Sequence, residues 1–222
     1  MTGREAKDRL YAQFGRLARA VSNPKRIELL ELLAQAERSV EELAAATGMG
    51  LQNTSAQLQV LARVRLVESR REGKRVFYRL SDDGVLRFLV ALRELARDRL
   101  AEVEQVARDY FEARDALEPI GAGELFRRLA RGQTLVIDVR PVEEYRAGHI
   151  PGALSIPLAE LGTHIQALPA AKEIVAYCRG PYCVLAPQAV EILRRAGLQA
   201  RRLREGLPEW RLAGLPVEVA AG

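Results

Sequence analysis

The apolar positions of this chain change period twice. Leu10, Phe14, Leu17 and Val21 recur at helical spacing. Ser22-Asn23-Pro24 interrupts that pattern and opens a second helix with Pro24 near its first position and Ile27, Leu30 and Leu33 on its inner face. Ser39-Val40-Glu41-Glu42 has the form of a capping box, and it starts a short helix carrying Val40, Leu43 and Ala44. Thr47-Gly48-Met49-Gly50 reads as a turn, followed from about Leu51 by a helix with Leu51, Leu58 and Leu61 facing inward. The period then falls to two: residues 66–71 and 75–80 predict a β-hairpin across Glu72-Gly73-Lys74. Leu89, Leu92, Ala96, Leu100, Val103, Ala107 and Tyr110 next predict one long amphipathic helix. Its stripe has nothing local to bury against, so a partner helix is the natural cover, with packing on a C-terminal domain as the alternative.

Around Glu118-Pro119 the pattern changes again. Compact apolar runs at 135–137 and 174–177 are each followed by a helix-like stretch. That alternation predicts a parallel sheet with helices on its faces. The expected organisation is therefore two domains. A mostly-α helix-turn-helix with a β-hairpin wing covers 1–117, and an α/β domain covers 118–222.

Composition narrows the classes. With 48% apolar and 28% charged residues, the 222-residue chain is neither disordered nor fibrous. No apolar run approaches the ~18–20 residues of a membrane span. The charged start, MTGREAKDRL, predicts no secretory signal, hence a cytoplasmic protein without a membrane partner. The net charge of +5 matters less than its placement. Residues 60–80 alone carry seven basic and two acidic side chains, whereas residues 81–118 carry six and ten. The two cysteines, Cys178 and Cys183, and the two histidines, His149 and His164, all lie in the C-terminal half. This rules out a disulfide scaffold and any His/Cys metal site in the N-terminal half. No cofactor and no metal are expected.

The helix from Leu51 opens with Gln52, Asn53 and Thr54 and continues with Gln57 and Gln59. Amides and hydroxyls at the start of such a helix can read base edges in the major groove. The hairpin supplies Arg70, Arg71, Lys74 and Arg75, cations suited to phosphates. The order helix, turn, amide-rich helix, basic hairpin predicts double-stranded DNA as a partner. Residues ~12–112 resemble the ArsR-type winged-helix repressors. The resemblance is carried by Asn23-Pro24-Lys25-Arg26-Ile27, by Asn53-Thr54-Ser55-Ala56-Gln57-Leu58, and by Arg71-Glu72-Gly73-Lys74-Arg75 through Tyr78. It implies a homodimer, paired through its first and last helices, on a palindromic operator. The family's metal-sensing Cys-x-Cys pair falls on Ser39 and Glu41 here, and the last helix has no His. Metal sensing of that kind is not expected.

In the C-terminal half, the run 174–177 leads straight into Cys178-Arg179-Gly180-Pro181-Tyr182-Cys183, and a helix follows from about Val184 to Ala196, closed by Gly197. A cysteine between a strand end and a helix N-terminus faces unpaired amides and the positive end of the helix dipole, which should lower its pKa. Arg179 adds charge, Gly180 lets amides converge, and Tyr182 completes an anion-cradling loop. This half resembles a single rhodanese domain over about 119–217. The matching segments are Asp138-Val139-Arg140, Glu144-Tyr145, Gly148-His149-Ile150-Pro151-Gly152-Ala153, Glu205-Gly206-Leu207-Pro208-Glu209-Trp210 and Ala213-Gly214-Leu215-Pro216-Val217. By this resemblance Cys178 is the sulfur-carrying nucleophile, while Asp138, Arg140 and His149 shape the fold around it. The family commonly closes the loop with an Arg that helps bind anionic donors, where this chain has Cys183. That substitution argues against efficient thiosulfate turnover and against the related phosphatases.

Cys183 either attacks a Cys178 persulfide or sulfenate, or merely packs. The combined expectation is a dimeric DNA-binding regulator whose second domain senses persulfide, polysulfide or thiosulfate through Cys178. Two rivals stand beside it: a sulfurtransferase tethered to a DNA-binding domain whose binding ignores sulfur state, and, more weakly, an arsenate-reductase-like thiol pair.

Overall fold

A computed structural model describes residues 1–112, 118–132, 134–169 and 171–220. Packing divides the chain into two units, Met1–Leu89 and Val90–Gly222. The boundary expected at residue 117 lies outside the described residues.

The first unit holds α1 (Gly3–Val21), α2 (Pro24–Leu33), β1 (Arg38–Ser39), α3 (Val40–Thr47), α4 (Leu51–Arg63), β2 (Val67–Glu72) and β3 (Arg75–Leu80). Local chemistry sets most of these boundaries. Thr2 and Glu5 form a capping box on α1, and Asn23 caps α2, with Pro at its first turn. Ser39 and Glu42 form the expected capping box on α3. Gly48 ends α3 in the left-handed region at φ 66, a conformation that would strain a residue with a Cβ. Leu29, Leu30, Leu43, Leu58 and Leu61 are fully enclosed in one core.

Three details depart from expectation. Leu51 is exposed, because it occupies the first position of α4, where the helix has only begun to turn toward the core. The sheet has three strands, since Arg38 and Ser39 pair antiparallel with Tyr78 and Phe77. A two-residue strand leaves no periodicity to read. On α1 the apolar stripe is covered only at its end: Val21 is buried, while Leu10, Tyr11, Phe14 and Leu17 are exposed.

The long helix is broken. α5 (Asp83–Arg99) sends Val85 and Leu89 into the first unit's core, and α6 (Ala101–Ala107) starts after Leu100, whose backbone is extended. The charges explain the break better than the apolar stripe does. Arg97 and Arg99 end α5, and Glu102 and Glu104 open α6, so each terminus carries the sign that complements a helix dipole. A five-residue π-turn, Arg108–Glu112, follows.

The second unit is an all-parallel four-stranded sheet in the order β5-β4-β6-β7. Its strands are β4 (Thr134–Asp138), β5 (Leu154–Ser155), β6 (Glu173–Tyr177) and β7 (Ala200–Arg202). The helices are α7 (Ala122–Ala130), α8 (Val142–Ala147), α9 (Leu161–His164), α10 (Leu185–Arg195) and α11 (Leu207–Leu212). Both faces are covered, so β6 reads as continuous apolar sequence. Ile174, Ala176 and Cys178 join one core with Ala189, Val190 and Leu193 of α10, while Val175 and Tyr177 join the other with Leu125 and Trp210. Among the described residues, no helix is long and apolar enough to cross a membrane.

Candidate functional site

The first unit presents a polar face along α4 and the hairpin. Gln52 and Asn53 are exposed at the start of α4, and a groove beside them is lined by Leu51, Gln52, Ser55, Gln59, Lys74 and Val76. Two of the expected base readers do not stand free on this face. Thr54 is fully buried and its hydroxyl donates to the Gly50 carbonyl at 3.1 Å, which holds the first turn of α4. Gln57 is half-buried and hydrogen-bonded within the unit, accepting from Arg26 at 2.8 Å and donating to Asn53 at 3.1 Å. Position four on a helix faces back toward the core side, so burial of Thr54 follows from its spacing to Leu58 and Leu61.

The wing cations also separate into two kinds. Arg70 bonds both oxygens of Glu37 at 2.8–2.9 Å through Nε, and Glu72 at 2.5 Å through Nη1. It also lies over the Phe77 ring at 4.6 Å. Its guanidinium is thus already paired with two carboxylates, unlike its neighbours around the turn. Arg71, Lys74 and Arg75 are exposed around the turn and make no ion pair among the described residues.

In the second unit, β6 delivers Cys178 into the loop and α10 begins just beyond Cys183. Both cysteines are free thiols, Cys178 buried and Cys183 half-buried. The Cys178 thiol donates to the Gly180 carbonyl at 3.9 Å. The Cys178 Sγ also lies 3.7 Å from the Cys183 carbonyl. The shift at Cys178 runs opposite to the one expected. Burial pushes the Cys178 thiol well above the ordinary thiol range, and the neighbouring Cys183 thiol adds to this. The neighbouring Cys178 thiol in turn holds Cys183 down to about 7, against the effect of its own burial, with help from the Leu185 and Arg179 amides and the Arg179 charge. Cys178 ends the inward-facing row of β6, and a side chain on that row is walled in by apolar neighbours before any helix dipole reaches it.

Alkylation should therefore begin at Cys183. Its rate with iodoacetamide is expected to rise through pH ~7 and flatten by pH ~8.5, where an ordinary thiol of pKa ~8.5 would still be climbing. Peptide mass spectrometry across pH checks this, and first labelling of Cys178 would contradict it.

Arg179 is not a free anion clamp. Its Nη2 reaches Oε1 of Glu144 at 2.7 Å and its Nε reaches both oxygens at 3.0 and 3.1 Å, with Glu144 itself fully buried. A buried carboxylate needs such a partner, so the cation is committed inward. Gly180 is buried beside it and Tyr182 is half-buried on the loop. Gly206 is required by close approach: a Cβ there would overlap the backbone of Arg179 and Gly180. Beneath the loop, Arg140 bonds Asp138 at 2.6–3.1 Å, Tyr177 donates to Asp138 at 2.6 Å, and Arg140 also bonds the Gly148 carbonyl. His149 stacks on Tyr145 at 3.8 Å, Trp210 donates to the Pro216 carbonyl, and His164 is exposed. Glu144, Gly206 and Arg26 each lie in a motif segment, but their roles depend on partners 35, 26 and 31 residues away, beyond the reach of spacing.

A winged helix-turn-helix and a cysteine loop on a parallel sheet define a DNA-binding regulator with an appended rhodanese-like domain. Comparisons with known proteins agree. The rhodanese-like domain family matches residues 121–213, and a family described as HVO_A0114 matches residues 21–82. The HTH-type transcriptional regulator Rv0324 of Mycobacterium tuberculosis is 47% identical over 217 residues, spanning 98% of this chain and 95% of that protein. A transcriptional repressor SmtB homolog of Synechocystis is 40% identical over 83 residues, 37% of this chain and 60% of that protein. A homodimeric winged helix-turn-helix DNA-binding domain from Mycobacterium bovis is 42% identical, covering 45% of this chain and 91% of that one, with a TM-score of 0.41. The chain belongs to the ArsR-type winged helix-turn-helix transcriptional regulators that carry a C-terminal rhodanese-like domain.

Proposed function

We propose that this regulator is a cytoplasmic homodimer that senses reactive sulfur through Cys178, with Cys183 as the resolving thiol. The observation that carries the reading is the loop itself. Two free thiols share one short loop, with the Cys178 thiol donating to the Cys183 carbonyl, and the neighbouring cation is already paired with Glu144. A doubly anionic donor such as thiosulfate meets little uncompensated positive charge there. A hydropersulfide or polysulfide brings less charge and suits the loop better. In the first step the Cys178 thiol gives its proton to the Cys183 thiolate and attacks the outer sulfur of R–S–SH, the donor's S–S bond breaks, and RSH leaves with that proton, giving a Cys178 persulfide and a Cys183 thiolate. Cys183 then attacks the Cys178 sulfur and expels hydrosulfide, leaving a Cys178–Cys183 disulfide. The donor is the oxidant, so the net change is one hydropersulfide and two thiols to one disulfide, one thiol and hydrogen sulfide.

The exposed Leu10, Tyr11, Phe14 and Leu17 support the homodimer, since a second copy would cover that face of α1. Gln52, Asn53, Arg71, Lys74 and Arg75 are the proposed operator contacts.

The deciding experiment pairs intact-mass spectrometry with operator binding on the same polysulfide-treated samples. Wild type is expected to gain sulfur or lose two hydrogens and to change operator affinity, and Cys183→Ser to stop at the persulfide. Cys178→Ser should do neither. A Cys178→Ser protein whose DNA binding still responds would end the sensor reading. An unmodified DNA affinity beside steady sulfur transfer would instead favour the tethered sulfurtransferase.

A further inference from the structure

Arg26 ties the end of one helix to the reading face of another. It lies in the first turn of α2. Its Nη2 donates to the Arg19 carbonyl at 2.9 Å and its Nε to the Ala20 carbonyl, two of the last carbonyls of α1, which have no partner within their own helix. The remaining arm, Nη1, donates to Oε1 of Gln57 at 2.8 Å. Gln57 in turn donates through Nε2 to Oδ1 of Asn53 at 3.1 Å. Asn23 holds the start of this string by accepting from the Arg26 amide at 3.2 Å.

The string has a direction. A guanidinium can only donate, so the side-chain oxygen of Gln57 must face Arg26. Its amino group is then turned toward Asn53, which must answer with oxygen. What Asn53 has left to offer at the exposed start of α4 is its amino group, whose nearest partner is the Met49 sulfur at 3.8 Å, a weak acceptor. Without Arg26, either amide could flip and nothing would choose between the two orientations.

We infer that Arg26 and Gln57 are specificity-determining positioning residues, which lock Asn53 as a hydrogen-bond donor so that it selects a base presenting an acceptor in the major groove. Purine N7, guanine O6 and thymine O4 are such acceptors. Gln57 therefore acts through Asn53 and does not itself read a base. The inference rests on the proposed operator contacts of α4.

The test uses the full-length protein and a randomised duplex pool, from which wild type first selects its preferred sequences. Gln57→Glu is the informative variant. A carboxylate still accepts from Arg26 but cannot donate to Asn53, so Asn53 should turn its amino group inward and present oxygen. The selected sequences should then change at one position in each half-site, toward a base presenting an amino donor, adenine N6 or cytosine N4. Arg26→Ala should relax the preference at that same position about tenfold or more, as for removal of a base-reading side chain. Phosphate contacts are untouched by either change, so the slope of log affinity against log salt should stay at the wild-type value. Thermal melting and dimer mass identify any variant that simply fails to fold, and Arg26→Lys, which keeps a donor toward Gln57, should retain most of the preference. A uniform loss of affinity with unchanged base preference in both Gln57→Glu and Arg26→Ala would overturn the inference. Failure of wild type to enrich any duplex would instead remove the operator contacts on which it stands.

Discussion

Replacing Arg140 by alanine is expected to destabilise the second unit by about 3–5 kcal/mol, the usual result of stripping one partner from a buried ion pair. Arg140 and Asp138 are both completely enclosed. Burial works against the Arg140 charge, but the hydrogen bonds and charge of Asp138 more than offset it, so the guanidinium is held above its ordinary pKa. Alanine would leave the Asp138 carboxylate facing the apolar residues around Tyr177 with only the Tyr177 hydroxyl and the backbone amide of residue 140 as donors. It would also free the Gly148 carbonyl at the end of α8. The chain's single tryptophan, Trp210, is buried in the same core and reports this unit alone, so urea titration followed by tryptophan fluorescence measures the loss directly. A shift under about 1 kcal/mol would mean that the pair is replaceable by packing. The loop carrying Cys178 sits on this pair through Tyr177, so sulfur chemistry should fail along with stability in this variant.

The second large effect is expected at the wing. Changing Arg71, Lys74 and Arg75 together to alanine should weaken operator binding by about 10²–10³-fold near 0.1 M salt, and lower the salt slope by nearly one unit for each phosphate no longer neutralised. The fold should survive, because all three side chains are exposed around the hairpin turn. Arg70→Ala is the instructive comparison. Its guanidinium already answers Glu37 and Glu72, so its removal should change the salt slope much less. Equal slopes for Arg70→Ala and for a single Arg75→Ala would show that the carboxylates release Arg70 on binding. Electrophoretic mobility shift or fluorescence anisotropy across a salt series reads both numbers.

Much of the architecture is visible in the residues because its causes are local. Asn23-Pro24, the Ser39/Glu42 box and Gly48 mark helix ends through contacts spanning three or four residues. The hairpin forms where the alternation predicts it, with Glu72 joining the strand and pairing with Arg75 so that the turn tightens to Gly73-Lys74. The run 174–177 reads as a buried strand because both faces of β6 are covered. The rhodanese-like and winged-helix motifs, together with the position of two thiols in one strand-to-helix loop, made the candidate chemistry legible as well.

Tertiary structure decided which side chains are free to act. Arg70, Arg179, Thr54 and Gln57 have the right chemistry in the right segments, yet Glu37, Glu144, the Gly50 carbonyl and Arg26 claim them. Those partners come from other elements or from the far side of a helix turn, and only folding brings them within hydrogen-bond reach. The same holds for the thiols. Sequence supplied a cysteine before a helix, which argues for an acidic Cys178, whereas burial on the inward row of β6 raises Cys178 and leaves Cys183 near 7. Sequence by itself therefore determined most elements of the first unit, the two-part organisation and the presence of a helix-turn-helix and a thiol loop. Which charges and thiols remain available was settled by packing, because desolvation and ion pairing depend on everything that surrounds a group and not on its neighbours along the chain.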